Sequence, residues 1–178
     1  MALKSTIFKA ELQVSDMDRN YYQAHNLTIA RHPSETDIRM MVRILIYALH
    51  ASEYLTFTKG LSTDDEPDIW QKSLNDEIDI WIELGQPDEK RIRKACGRAR
   101  QVFIYSYSGS SSEIWWNQIK NKLGRFDNLA VINLPISTVK ALSKLSQRNM
   151  QLQCSIQDST CWLGDDNDTL QIDPEVWK

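Results

Sequence analysis

The sequence has no apolar run long enough to cross a membrane, and its start, MALKSTIFKAELQV, lacks the apolar segment of a secretory signal. Glycine, proline and cysteine are scarce, at six, five and three residues. There is no repeat, no low-complexity segment and no Pro/Gly/Ser-rich linker. We therefore expect a single domain over residues 1–178, with no membrane partner.

The three cysteines, Cys96, Cys154 and Cys161, have no CxxC spacing and form an odd number. Neither a disulfide framework nor a zinc site is indicated, and this favours a reducing, cytoplasmic location. The net charge of −3 does not predict a polyanionic partner. A nucleic-acid surface would have to be a local basic patch, and the oligomeric state stays open.

Strand and helix patterns alternate along the chain, which indicates an α+β (or α/β) class with a mixed sheet flanked by helices. Residues 1–32 are predicted to form a β-hairpin, and residues 109–178 a C-terminal extension. Between them, residues 33–108 follow an αβββαβ order. The predicted elements are helix 34–52, strands 54–60, 67–72 and 78–84, helix 88–99 and strand 101–107.

The helix from Ser34 is apolar on nearly all sides, which is typical of a buried helix. Ser34 is the predicted N-cap, with Asp37 three residues on, and Ser110 with Glu113 is a second predicted capping box. Strand 78–84 alternates cleanly between isoleucines on one face and Asp79, Trp81 and Glu83 on the other. We predict that this strand is central in the sheet and that the helix from Ser34 packs across it.

Carboxylates and cations are concentrated between residues 60 and 101. Acidic residues, Glu66 and Asp68 among them, lie at the start of one predicted strand, and Glu83 lies at the end of the next. Carboxylates on neighbouring strands can converge within a few ångströms. Oxygen ligands of this kind hold Mg²⁺, which keeps several waters and needs few protein ligands. The sequence therefore predicts a site for Mg²⁺ or Mn²⁺ here.

The PD pair at Pro67–Asp68, followed by the acidic strand end at Glu83, resembles the PD-(D/E)XK nuclease superfamily. The stretches ARHPSET, DDEPDIW, IDIWIELGQPDEKRIRKA and SEIWW are similar to the YaeQ family of small bacterial proteins, over most of the chain. The resemblance implies a nuclease-like fold. It also implies metal ligands at Asp68 and Glu83, with Glu66 as the alternative, and a helix glutamate, Glu35, that joins the site.

The superfamily pattern has lysine two residues after the strand glutamate, and this chain has Gly85 there. If a site is retained, its cation must come from elsewhere. Lys94 is the first candidate and Arg91 the second, because both lie on the following helix and their spacing of three puts them on one face. With Arg98 they form a predicted basic face.

Each candidate residue also has a purely structural interpretation. Glu35 can complement the helix dipole and pair with Arg39, and Asp88 can be an N-cap. Asp64 to Glu66 can be a solvated loop. Trp115 and Trp116 are adjacent, so one is expected to face the core and the other outward.

Two functions remain open at this point. One is a metal-dependent phosphodiester hydrolase with Glu35, Asp68, Glu83, Lys94 and Arg91 as catalytic residues. The other is a non-catalytic module on the same fold that binds nucleic acid or protein, which the glycine at position 85 favours. The hydrolase requires that the carboxylates of Asp68 and Glu83 converge and that a cation reaches them. Carboxylates that point apart into solvent would favour the binding module.

Overall fold

The computed structural model describes residues 4–59 and 65–178. Asp64 and the last residue of the predicted strand 54–60 lie outside this range. The helices are α1 (Asp37–Leu49), α2 (Glu89–Arg98), α3 (Ser110–Leu123) and α4 (Ile136–Ser143). The strands are β1 (Thr6–Asp16), β2 (Tyr21–Arg31), β3 (Leu55–Phe57), β4 (Ile69–Lys72), β5 (Ile78–Leu84), β6 (Ala99–Ser106), β7 (Leu129–Asn133), β8 (Asn149–Gln157), β9 (Thr160–Gly164), β10 (Thr169–Ile172) and β11 (Glu175–Val176).

These elements form two compact units. The first contains residues up to Ala51 together with Ser137–Asp173, and the second contains Ser52–Ile136 and Pro174–Lys178. The expectation of one mixed sheet is corrected here, because the described strands form two. β1 pairs with β8, far away along the chain, and local patterns do not encode which distant strands pair.

The first unit is built on a five-stranded sheet in the order β10-β9-β8-β1-β2. β1 pairs antiparallel with β2, as the predicted hairpin requires, and parallel with β8. Along β1 the side chains alternate between buried and solvent-facing, so one face of the sheet is apolar and the other is wet. Cys154 and Cys161 lie on β8 and β9 with their sulfurs 3.3 Å apart, as free thiols.

Helix α1 carries nine consecutive buried residues, Met40–Ala48, which confirms the interpretation of its all-round apolar pattern. The predicted cap is corrected. The N-cap is Thr36, whose side chain accepts from Arg39 N at 3.1 Å, while the Ser34 hydroxyl bonds the His32 ring instead. Ser34 and Thr36 are both good N-caps, so composition alone did not separate them.

The second unit contains a six-stranded sheet in the order β11-β7-β6-β5-β4-β3. β5 is interior, between antiparallel β4 and parallel β6, as predicted from its alternation. The apolar core of the second unit contains side chains from α2, α3 and the strands of this sheet, and Trp81 within it is only 1% exposed. No helix in the described residues is long and apolar enough to span a bilayer.

Two details of α3 differ from expectation. Its N-cap is Gly109 rather than Ser110, and no side chain caps it. Gly109 has φ of 61°, a left-handed conformation that favours glycine. Trp115 and Trp116 do not divide between core and solvent, because both are half-buried against the core of the second unit. Trp115 donates to Pro87 O, and Trp116 stacks on Trp177 from the C-terminal segment, a partner that the spacing of α3 could not reveal.

Candidate functional site

Asp68 and Glu83 lie close together at one end of the β4–β5 pair. β4 and β5 pair antiparallel with Ile69 across from Ile82, and the N–H of Asp68, the residue just before β4, donates to Ile82 O at 3.1 Å. The charge of Asp68 acts on the Glu83 carboxylate, as is expected of neighbouring acids. Convergence of the two carboxylates on one metal ion stays a prediction.

Both carboxylates are buried and held by donors. Asp68 is 7% exposed, and its Oδ2 accepts from the backbone N–H of Leu84 at 2.8 Å. Glu83 is 6% exposed, and its Oε1 accepts from the Trp81 indole at 3.0 Å and from Arg91 Nε at 2.8 Å. Buried anions need such donors to offset the cost of leaving water.

Burial raises the pKa of Glu83 above its ordinary value. The hydrogen bond and charge of Arg91 oppose this increase, the nearby charge of Asp68 adds to it, and the Trp81 indole opposes it. The native protein therefore holds a carboxylate at a cost in free energy, and Arg91 is the residue that does most to keep it ionised. A carboxylate with a raised pKa beside a second carboxylate is a common feature of functional sites.

Arg91 is held over Glu83 by the start of helix α2. Pro87 precedes this helix, and Asp88 is its N-cap, accepting from the Arg91 N–H at 2.8 Å. Ile92 and Ala95 are buried on the inner side, so the sequence spacing turns the cations away from the core. The structural role considered for Asp88 is confirmed, and that role also fixes the position of Arg91.

Arg91, Lys94 and Arg98 all contact one short acidic segment, Asp65–Glu66. Lys94 Nζ lies 2.8 Å from Asp65 Oδ1, and Arg98 Nη1 donates to Asp65 O at 2.9 Å. Arg91 Nη2 donates to Glu66 O at 2.9 Å. The predicted basic face exists, but it is engaged within the chain. Of the two candidate cations, Arg91 is the one that reaches Glu83, and Lys94 pairs with Asp65 instead.

Trp81 is the residue at this site that sequence reasoning did not assign. Its indole donates to Glu83, its ring packs edge-on against Trp70, and the Arg98 guanidinium lies 5.1 Å from its ring centroid. The available signal was its position two residues before Glu83 on the same strand face. Because its hydrogen bond fixes the carboxylate, Trp81 is a positioning residue.

Gly85 lies just after β5 and does not have strand geometry. Its φ is +104°, and a Cβ built there meets nothing within 4 Å. Space is therefore available for a side chain, while the backbone conformation disfavours one. The Gly85 N–H donates to Tyr105 O at 2.8 Å, which holds the turn against β6.

Glu35 belongs to the first unit, just before α1. Glu35 is 6% exposed, and its carboxylate accepts from Arg43 through both oxygens at 2.7 Å and from Arg39 at 3.1 Å. The pairing with Arg39 considered from the sequence is present, and the buried Arg43 is an additional partner. A role for Glu35 beside Asp68 and Glu83 stays a prediction. Within residues 4–59 and 65–178, no group of three or more His, Cys, Asp or Glu side chains is placed to hold a metal ion.

Comparison with known proteins identifies the family. The family described as YaeQ protein matches residues 1–174. The chain is 46% identical to "Uncharacterized protein YaeQ" of Escherichia coli (strain K12), covering 100% of this chain and 98% of that one, and equally identical to the protein of that name from Salmonella typhi.

Two crystal structures are similar over nearly the whole chain. The YaeQ protein from Xanthomonas axonopodis pv. citri is 47% identical with a TM-score of 0.95, covering 98% of each chain. The YaeQ protein from Pseudomonas syringae is 34% identical with a TM-score of 0.93, covering 98% of this chain and 96% of that one. The family match and the full-length relatives together show that this chain belongs to the YaeQ family.

Proposed function

We propose that this chain is a metal-dependent phosphodiester hydrolase on a PD-(D/E)XK nuclease-like core, centred on Asp68 and Glu83. The observation that carries the proposal is the burial of both carboxylates at one end of the β4–β5 pair, with Arg91 Nε 2.8 Å from Glu83 Oε1. The αβββαβ order from α1 to β6 supports the same assignment. A cytoplasmic location remains part of the proposal.

The residues at this pair fit Mg²⁺ or Mn²⁺. Two close carboxylates repel each other, and the raised pKa of Glu83 reflects burial together with that repulsion. Mg²⁺ keeps most of its waters, so two carboxylates suffice as protein ligands. Asp68 and Glu83 would hold the ion, with Glu66 as the alternative ligand. When bound, such an ion polarises a phosphate and makes a bound water more acidic.

The side chains of this protein supply the remaining parts of the proposed site. The superfamily pattern has a lysine where this chain has Gly85. Arg91 takes the place of that lysine, because its guanidinium contacts Glu83 and can donate to phosphate oxygens. Trp81 holds the Glu83 carboxylate in one orientation. Lys94 is a secondary cation that becomes available when its exposed pair with Asp65 opens, since ion pairs between exposed side chains are weak. Glu35 remains a candidate participant.

A non-catalytic binding module is the second candidate, and a specific observation favours it. Arg91 already compensates Glu83, and the cations of α2 already contact Asp65–Glu66. Because this ion pair is complete without metal, its role can be purely structural: it would hold the end of β5 in place. Nucleic acid or a protein would then be the partner of the surrounding surface.

Thermal unfolding with Mn²⁺ separates the two candidates. At a free concentration of 100 times Kd, a ligand stabilises the folded state by about 2.7 kcal/mol. For a chain of this length that is a rise in Tm of roughly 5–10 °C. We expect this rise in the intact protein, a much smaller one in Glu83→Gln, and the full rise in Glu77→Gln. Glu77 is a suitable control because it is an exposed carboxylate paired with Arg100.

The activity assay uses single- and double-stranded DNA and RNA with Mg²⁺ and Mn²⁺. Metal-dependent cleavage lost in both Glu83→Gln and Arg91→Met supports the hydrolase. A Tm that Mn²⁺ does not move, with no cleavage, leaves the binding module as the better function. A shift that persists in Glu83→Gln would show that metal binds elsewhere and that the assignment of Asp68 and Glu83 is wrong.

A further inference from the structure

The solvent-facing side of the five-stranded sheet in the first unit has an unusual composition. The pairing registers place side chains from all five strands on this face. Only two of those side chains are charged, Lys9 and Glu11, and they lie on the same strand with opposite signs. One residue in four of the whole chain is charged, so this face is depleted in charge. A neutral sheet face disfavours a polyanionic ligand.

Exposed amide side chains take the place of charges. Six of them are exposed on β1, β2 and β8: Gln13, Asn26, Asn149, Gln151, Gln153 and Gln157. Within the part of the chain that the structure describes, no side-chain hydrogen bond engages any of these six. Each amide offers both a donor and an acceptor, which is the combination that a hydroxyl group matches.

Two aromatic rings lie in one row across this face. The register aligns Tyr22 with Ser15, Ser15 with Ser155, and Ser155 with Trp162. The rings therefore stand three strand spacings apart, about 14 Å, and two small serines lie between them. Tyr22 is 51% exposed and Trp162 is partly exposed. The two serines therefore lie between two larger aromatic side chains along this row.

The face also contains a groove at its other end. This groove has a volume of about 500 Å³ and is lined mainly by polar side chains of β1, β2 and β8, among them Lys9, Glu11, Asn26, Asn149 and Gln151. The amides thus continue from the row of rings to the groove along the same strands. The polar lining makes an apolar ligand or a membrane a poor match.

We propose that this sheet face binds a neutral oligosaccharide. Sugar rings have an apolar face of C–H groups that packs on an aromatic ring, and a rim of hydroxyls that pairs with amides. The separation of Tyr22 and Trp162 suits an extended chain of a few sugar units, with rings packed at the two ends and hydroxyls on Gln13 and Gln153 in the adjacent row. This site is independent of the proposed hydrolase centre, which belongs to the other unit.

The test is titration of the full chain with a panel of neutral pentasaccharides: maltopentaose, cellopentaose and chitopentaose. Isothermal calorimetry and NMR shift perturbation give the affinity. We expect at least one of the three to bind with a Kd of about 1 mM or tighter. Tyr22→Ala and Trp162→Ala should each weaken binding about tenfold, and Gln151→Ala with Gln153→Ala should weaken it further.

Tyr54→Ala is the matched control, because Tyr54 is also 51% exposed but lies outside this face. It should bind as the intact chain does. Circular dichroism of each variant separates loss of binding from loss of folding, and the glutamine variants provide a second route if an aromatic variant unfolds. The proposal is overturned if none of the three sugars binds, or if binding is unchanged in both aromatic variants. It is also overturned if the same variants abolish binding of single-stranded oligonucleotides or abolish dimerisation instead.

Discussion

Replacing Arg91 by methionine should destabilise the protein strongly, because it leaves the Glu83 carboxylate buried without its cation. The Glu83 side chain is 7% exposed and that of Arg91 27%, so the pair is only partly screened by water. Breaking a fully buried pair costs about 3–5 kcal/mol. Since Arg91 is partly exposed, we expect roughly 2–4 kcal/mol, including the lost hydrogen bond to Glu66 O.

Lys94→Met is the control for this substitution. Lys94 lies one helical turn on, and its pair with Asp65 has side chains that are 50% and 80% exposed. Exposed pairs of this kind contribute little to stability, so this substitution should cost much less than Arg91→Met. The assay is urea unfolding at pH 7, followed by circular dichroism, and it compares the free energies of unfolding of the two variants with that of the intact chain.

The loss of stability caused by Arg91→Met should depend on pH. Burial raises the pKa of Glu83, so the stability linked to its protonation is present below its ordinary pKa and is lost as the pH rises through the folded value. Without Arg91 the folded pKa rises further. The cost of Arg91→Met should therefore shrink as the pH falls and Glu83 becomes neutral. A cost below 1 kcal/mol at pH 7, an equal cost for Lys94→Met, or a cost that grows in acid would refute the reasoning.

Three further predictions concern other parts of the chain. Gly85→Ala should lower the free energy of unfolding by about 1–2 kcal/mol, because φ at this position is +104°. Gly97→Ala should raise it by about 0.5–1 kcal/mol, because Gly97 lies inside α2 with open space around it. Chemical denaturation measures both changes. Burial, with a smaller effect of Arg19, lowers the pKa of His50 from 6.5 to about 4. The protein should therefore lose roughly 3 kcal/mol as the pH falls from 6.5 to 4, at about 1.36 kcal/mol per pKa unit, and His50→Gln should remove most of that loss. Burial raises the pKa of Cys96 to about 11, so its reaction with a disulfide reagent at pH 8 should be slow in the folded protein. Rapid reaction of the first thiol would contradict the burial of Cys96.

The sequence by itself determined most of the local elements and drew attention to two carboxylates that are buried in the structure, Asp68 and Glu83. The alternation of IDIWIEL predicted an interior strand, and the apolar pattern from Ile38 onward predicted a buried helix, because side-chain period reports burial directly. Asp68 and Glu83 could be predicted to be neighbours, because their strands are consecutive and joined by a short turn, and the charge of Asp68 does act on Glu83. Asp88 could be predicted as a cap for the same local reason.

Only the tertiary structure decided the number of sheets, the cation at Glu83 and the composition of the exposed sheet face. β1 pairs with β8 over a long stretch of chain, and a sequence pattern specifies which face of a strand is buried without specifying its partner. Lys94 and Arg91 share one helix face, so spacing could not choose between them. The choice depends on how α2 is positioned over β5, where Arg91 lies at the carboxylate and Lys94 one turn further on, beside Asp65.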